Sequence, residues 1–245
     1  MLKTFLSRIS NLIIWQFRKR KFDNSNLDSK SKEILNSLEQ NSYYIYKNFL
    51  NSKELKKIKT NVQNYYKSNP EPFEKSIYYR SRNAIPHDIK FLDTYVKNKT
   101  VNEIMNNFHL MPVRVDKTTY EIKKGLKNKK NVSGEHFFHI DRNYGVLKFA
   151  LLLTNVEIKN GPFSIIPGSH KLSKAHSLRS FLYRVFHFFI EGEKDKISMS
   201  KVDKFIDPDK EKFLVGKSGD LLIVNTGAYH RGTDLEANSL RELIW

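Results

Sequence analysis

His136-Phe137-Phe138-His139-Ile140-Asp141 lies between a basic loop and a strongly apolar run, and it reads as a β-strand. Strand side chains alternate between two faces, so residues 137, 139 and 141 point one way and 136 and 138 the other. His139 and Asp141 therefore aim one imidazole and one carboxylate at a common point, while His136 falls to packing or a supporting contact. His230, brought in from far along the chain, would complete three facial ligands, and Arg241 follows eleven residues later (241 − 230). A set of two histidines and one carboxylate leaves coordination positions open, as non-haem Fe(II) requires when it works with a cosubstrate and O2.

Working outward, the segments on both sides of this stretch carry strand patterns. Residues 113–122 alternate, and 123–130 read as a basic loop around Gly125. An apolar strand is expected over 146–153, a turn at Asn160-Gly161-Pro162, and a strand over 163–166. Pro167-Gly168-Ser169-His170 reads as a turn and strand edge, with His170 not a ligand. Strand character returns at 213–216, 221–225 and 240–245, with Ser218-Gly219-Asp220 as a turn. Between them, 172–208 carry a helical pattern (Leu178, Phe181, Leu182, Val185, Phe186, Phe189) that either buries against the sheet or roofs a pocket. At least six short strands punctuated by Gly and Pro turns, with helices mostly outside them, predict a mainly β fold with α additions, a jelly-roll.

The first half is mixed. A polar stretch at 23–29 precedes a helix through Ile34 and Leu38, and 42–46 is rich in aromatic and β-branched residues, as strands are. Asn51 with Glu54 has the spacing of a capping box, opening a helix through Leu55, Ile58 and Val62 to about Tyr66. A short strand at 77–79 and helices over 89–96 and 101–108 complete a portion that reads as packing support.

Composition narrows the function classes. With 245 residues the chain can bury one sizeable core. The absence of cysteine excludes disulfides, thiolate metal sites and a cysteine nucleophile. A net charge of +17 favours anionic partners, yet the lysines are spread along a chain also rich in Asn and Ile, as AT-rich coding alone would produce. No aromatic-and-basic stacking motif points to nucleic acid. Residues 1–22 form a separate unit, a basic amphipathic helix with Leu2, Phe5, Leu6, Ile9, Leu12, Ile13 and Trp15 at helical spacing and Arg18-Lys19-Arg20-Lys21 behind them. Such a helix packs on its domain, lies on an anionic membrane surface, or serves as a mitochondrial presequence. It is too short to span a bilayer, and the expectation is a cytoplasmic protein with peripheral membrane contact.

In order, His139-Ile140-Asp141, Leu151-Leu152-Leu153-Thr154-Asn155-Val156, Asn160-Gly161-Pro162-Phe163, Pro167-Gly168-Ser169-His170-Lys171, Gly219-Asp220-Leu221-Leu222-Ile223, His230 and Arg241 resemble the phytanoyl-CoA dioxygenase family. The likeness covers roughly residues 112–245, and 44–66 fit the family's usual beginning. It implies a double-stranded β-helix (jelly-roll, cupin-like) core over about 112–245, with the helical insertion at about 172–208, inside one oxygenase domain spanning 23–245. It also implies Fe(II), with 2-oxoglutarate and O2 as cosubstrates. His139, Asp141 and His230 carry over as iron ligands and Arg241 as the cosubstrate arginine, whose planar guanidinium suits two parallel bonds to a carboxylate. Tyr120 and Lys123 lie on the strand from which relatives supply a further cosubstrate contact, and Gly232-Thr233 departs from the serine some relatives place there. Asp141, where Ala or Gly would open a halide position, argues for hydroxylation over halogenation.

The expected substrate is a small-molecule, acyl, or lipid- or sugar-linked compound. The net charge and the lysines of 123–130 are compatible with an anionic group on it. Two other classes compete. A cupin-like metal protein of other chemistry would leave Arg241 without a purpose. A non-catalytic membrane-surface binding module would tolerate loss of any ligand.

Overall fold

The computed structural model describes residues 27–68, 74–75, 78–85, 92–109, 118–126, 136–141, 146–171 and 207–245. The amphipathic helix expected over 1–22 lies outside them, as does nearly all of the insertion expected over 172–208; a short 3-10 turn, Pro208–Lys210, closes that region.

Helix α1 (Ser29–Asn41) starts where the Asp28 carboxylate accepts the Ser31 amide at 2.7 Å and stops where Ser42 turns left-handed at φ 69°. Strand β1 (Tyr43–Tyr46) follows, then α2 (Ser52–Ser68). The capping box expected at α2 is present in both directions: Asn51 Oδ1 accepts the Glu54 amide, and Glu54 Oε2 accepts the Asn51 amide, each at 3.0 Å. Next come β2 (Glu74–Lys75), β3 (Tyr78–Ile85), α3 (Asp93–Val96) and α4 (Lys99–His109). The remaining strands are β4 (Thr118–Gly125), β5 (Leu147–Leu152), β6 (Phe163–Ile165), β7 (Lys212–Leu214), β8 (Leu221–Asn225), β9 (His230–Gly232) and β10 (Leu240–Ile244).

These strands form two antiparallel sheets, one of seven strands in the order β1-β8-β5-β10-β4-β3-β2 and one of three in the order β7-β6-β9. The expected jelly-roll, with helices added to one face, is the fold. Strand β8 shows how it is held. All five of its residues are buried, so the large sheet is covered on both faces at this strand. Leu221 and Ile223 point outward into a core with Ile34, Leu38, Ile58, Val62 and Ile104 from the helices. Leu222 and Val224 point inward, between the sheets, with Ala150, Leu152, Ile165, Leu214 and Leu243. A fully buried side chain of this kind stabilises by roughly 1.5–3 kcal/mol, so two such clusters supply most of the driving force.

Three expectations need correction. Residues 123–125 are not loop: β4 continues through them because Lys123 and Lys124 pair with Arg241 and Leu240 on one side and β3 continues to Gly125 on the other. Gly125 is required there, since a Cβ would sit 1.7 Å from the Glu236 carbonyl oxygen. Strand β3 runs to Ile85 rather than stopping near 79, carried by backbone pairing with β4. In contrast, 136–141 is not a full strand among the described residues. It meets the small sheet through one bridge, His139 to His230.

A candidate metal centre between the sheets

That bridge builds the site. The His139 amide donates to the His230 carbonyl at 2.8 Å and the His230 amide returns the bond at 2.9 Å, so the two residues are directly opposed and their side chains leave on the same face. The ring centroids lie 4.2 Å apart. Two residues on, the Asp141 amide donates to the Thr226 carbonyl at 3.1 Å, and the Thr226 amide donates to the carbonyl of Val146, just before β5. The carboxylate is thereby folded back toward the imidazoles. Asp141 Oδ1 stands 3.9 Å from His139 Nε2, and Oδ2 stands 3.7 Å from His230 Nε2. One ligand atom from each residue lies within 4.8 Å of the other two, a spacing that could hold a metal ion.

The tautomers suit such an ion. His139 Nδ1 lies 3.0 Å from the Phe137 carbonyl oxygen, and His230 Nδ1 lies 2.9 Å from that of Ala228. A carbonyl oxygen only accepts, so each Nδ1 carries the proton and each Nε2 keeps its lone pair for the interior. Burial first, then the neighbouring His139 ring, hold His230 far below the ordinary histidine range, so it is neutral at physiological pH. Burial alone would raise the Asp141 carboxyl. The cations facing it, His230 when protonated and Lys148, outweigh burial and keep it well below the usual carboxylate range. Because His230 is neutral near pH 7, Lys148, with Nζ 2.6 Å from Asp141 Oδ2, is the cation that matters there.

The support is local and traceable. Phe163 stacks on the His230 ring at 5.0 Å. The Ser169 hydroxyl accepts the Tyr229 amide at 2.8 Å and donates to the Ile166 carbonyl at 2.8 Å, fixing the residue before His230. His170 is not in the cluster; its Nδ1 meets the Ser42 hydroxyl at 2.5 Å and so ties this turn to the end of α1. His136 lies outside the cluster too, with Nδ1 3.0 Å from Asp234 Oδ1. On the outer side of β9, Arg231 makes two 2.7 Å bonds to Glu211 and lies over the Phe138 ring.

Arg241 is on β10, buried to 5% exposure, on the same inward face as Leu243 and Trp245. Its Nη1 donates to the Gly161 carbonyl oxygen, and Nη2 lies 3.4 Å from Glu121 Oε1. Gly161 is held at φ +62°, and a Cβ there would meet Leu235 at 2.6 Å, so the turn that receives Arg241 depends on glycine. Lys123 Nζ lies 3.7 Å from Glu121 Oε1, and Trp245 Nε1 donates to that oxygen at 3.4 Å. Trp245 in turn packs edge-on to Phe163, the ring that stacks on His230. The arginine and the metal cluster therefore share one interior.

Of the strand residues set aside at first, Lys123 faces this interior, whereas Tyr120 points to the helices and packs on Tyr66. Sequence reasoning missed Lys148, Glu121 and Trp245. The available signal was parity: Lys148 shares a face with Ala150 and Leu152, and Glu121 and Lys123 share the face opposite Tyr120 and Ile122, so each places a charge on the side turned toward the small sheet.

The comparisons agree with this geometry. The description "Phytanoyl-CoA dioxygenase (PhyH)" matches residues 38–241. No curated protein matches the sequence. Among solved structures, the epimerase SnoN, in complex with Fe3+, alpha ketoglutarate and nogalamycin RO, has TM-score 0.61 at 12% identity, covering 88% of this chain and 82% of its own. HygX from Streptomyces hygroscopicus, with nickel and 2-oxoglutarate bound, has TM-score 0.57 at 15% identity, covering 89% and 85%. EctD from S. alaskensis, in its apoform, has TM-score 0.62 at 11% identity, covering 91% and 78%. Such identities speak for the shared fold alone. The family match spans most of the chain, including every residue of the cluster and Arg241, and the chain accordingly belongs to the phytanoyl-CoA dioxygenase family of iron- and 2-oxoglutarate-dependent oxygenases.

Proposed function

We propose that His139, Asp141 and His230 hold Fe(II), that Arg241 binds the far carboxylate of 2-oxoglutarate, and that the enzyme hydroxylates a small-molecule, acyl, or lipid- or sugar-linked substrate. The observation that carries this reading is the convergence of two Nε2 lone pairs and one carboxylate, with both Nδ1 protons already committed to backbone carbonyls. Neutral imidazoles and an ionised carboxylate are the donor set Fe(II) accepts while leaving one face open. When bound, iron and its cosubstrate supply O2 activation coupled to 2-oxoglutarate decarboxylation, chemistry that no side chain here provides.

The chain's own residues position and exclude. Arg241 is buried and anchored through Gly161, so that a carboxylate arriving there meets a pre-oriented guanidinium. Phe163 and Trp245 wall the space between that guanidinium and His230. The presence of Asp141 favours hydroxylation over halogenation. The substrate is taken to be anionic or amphiphilic, with the basic stretch 1–22 giving peripheral contact at an anionic membrane surface; flotation with anionic vesicles, with and without that stretch, tests the contact.

The central test is an anaerobic titration with Fe(II) and then 2-oxoglutarate, followed through the weak visible charge-transfer band of the chelate. A band in the wild type that is lost in Asp141→Ala and greatly weakened in Arg241→Ala is expected. Folded, iron-loaded wild type with no band would overturn the 2-oxoglutarate assignment.

A further inference from the structure

Lys148 is the charged residue of β5 that faces between the sheets, opposite Val224 and in line with Ala150 and Leu152 of the inner core. Its ammonium lies 2.6 Å from Asp141 Oδ2, and 44% of its side chain is exposed, against 18% for Asp141. A pair this open adds little to stability, on the order of 0–1 kcal/mol, so its effect is sought in geometry. The two carboxylate oxygens are not equivalent. Oδ1 is nearest His139 Nε2, whereas Oδ2 faces His230 Nε2 and is also the oxygen in ion-pair contact with the Lys148 ammonium.

Coordination arithmetic makes that asymmetry matter. A facial set of three protein atoms leaves three of six positions; a chelating 2-oxo acid fills two and leaves one for O2. A carboxylate that gives both oxygens, as carboxylates often do to hard cations, takes a fourth position and leaves only two. We propose that Lys148 is a positioning residue that ties down Oδ2, so that Asp141 offers the metal one oxygen and a sixth position stays open. This rests on the metal-site reading above. An ammonium is suited to the task, being a compact charge with three donors and no acceptor, so it holds an oxygen without ligating the metal itself. Metal affinity is thereby reduced in exchange for an accessible site, since Lys148 places a positive charge beside a cation.

The test uses the full chain and two variants, Lys148→Met, which keeps length without charge, and Lys148→Arg, which keeps a positive charge beside Oδ2. Mn(II) binding alone is measured first, then the 2-oxoglutarate concentration needed to form the anaerobic Fe(II) chelate band. In Lys148→Met, Mn(II) binding is expected to tighten by roughly tenfold and the 2-oxoglutarate requirement to rise by a similar factor, a coupling of about 1.4 kcal/mol in each direction. Lys148→Arg is expected to restore both. A merely structural lysine would weaken both affinities together or move neither, and either result overturns the proposal. The Mn(II) arm does not involve 2-oxoglutarate. Wild type that binds Mn(II) but never forms the chelate overturns the cosubstrate reading, while the Mn(II) ratio still decides the role of Lys148. Wild type that binds no metal overturns both.

Discussion

The two faces of the large sheet are built to different rules. Toward the helices, β8 and its neighbours present Leu221, Ile223, Leu151 and Ile244 to Ile34, Leu38 and Ile104, with hydrocarbon on both sides. Toward the small sheet, the same strands and β4 set Leu152, Leu222 and Leu243 beside the buried charges of Glu121, Lys123 and Arg241. Buried charge is costly unless partnered, so the inner face gives up stability that the outer face must supply. The difference separates the two jobs of the fold. One face holds the sheet together, and the other holds polar groups where solvent cannot compete with a ligand.

The largest expected effect strikes the inner face alone. Asp141→Ala should reduce metal affinity by more than about 100-fold, beyond the 10–100-fold typical of lost supporting contacts, with the apo melting temperature held or raised. Metal titration beside calorimetry checks it, and a collapse of Tm in this variant would break the division between the faces. The mirror experiment is Leu38→Ala. It should cost roughly 2–5 kcal/mol by denaturant unfolding, while metal affinity per folded molecule stays unchanged.

A smaller effect is expected where the faces meet. Asp220 accepts the Asn48 amide at 2.8 Å and the Lys217 amide at 2.9 Å, linking the turn before β8 to the segment after β1. Asp220→Ala should cost about 1–3 kcal/mol through stranded amides and leave the site's affinities alone.

The smallest concerns His109, whose pKa burial holds below its ordinary value. The unfolded chain then binds more protons than the folded one below about pH 6.5, so stability should fall as pH drops from there and be flat above it. His109→Phe should make that slope shallower between pH 6.5 and 5 in paired unfolding curves, leaving the part that His230 contributes by the same linkage.

Much of this architecture was legible because hydrocarbon advertises itself. The apolar runs of β5, β8 and β10 and the Asn51–Glu54 cap stood in the sequence much as they stand in the fold. His139, Asp141 and His230 were legible as a set because three ligand residues in suitable order and spacing are rare together. What escaped was carried by the backbone or by parity. Strand β9 is His230-Arg231-Gly232, with no apolar alternation, and exists because β6 and His139 pair with it. Beyond Tyr79, β3 runs Arg80, Ser81, Arg82 and Asn83 before Ala84 and Ile85, a mostly polar string ordered by its ladder to β4. Glu121 and Lys123 resemble solvent-facing charges until it is known that their strand is covered on both faces, and Lys148 resembles any exposed lysine until its ammonium is seen beside Asp141.

The carbonyl anchors on His139 and His230 have one more consequence. A donor set fixed before any ion arrives does little to choose among first-row divalent ions, and imidazole–carboxylate sites bind Ni(II), Cu(II) and Zn(II) more tightly than Fe(II). Selection for iron then falls to supply rather than to this pocket. Protein passed over a nickel column would carry nickel into the assay, and its turnover would measure the history of the sample until the metal is stripped and replaced under anaerobic conditions.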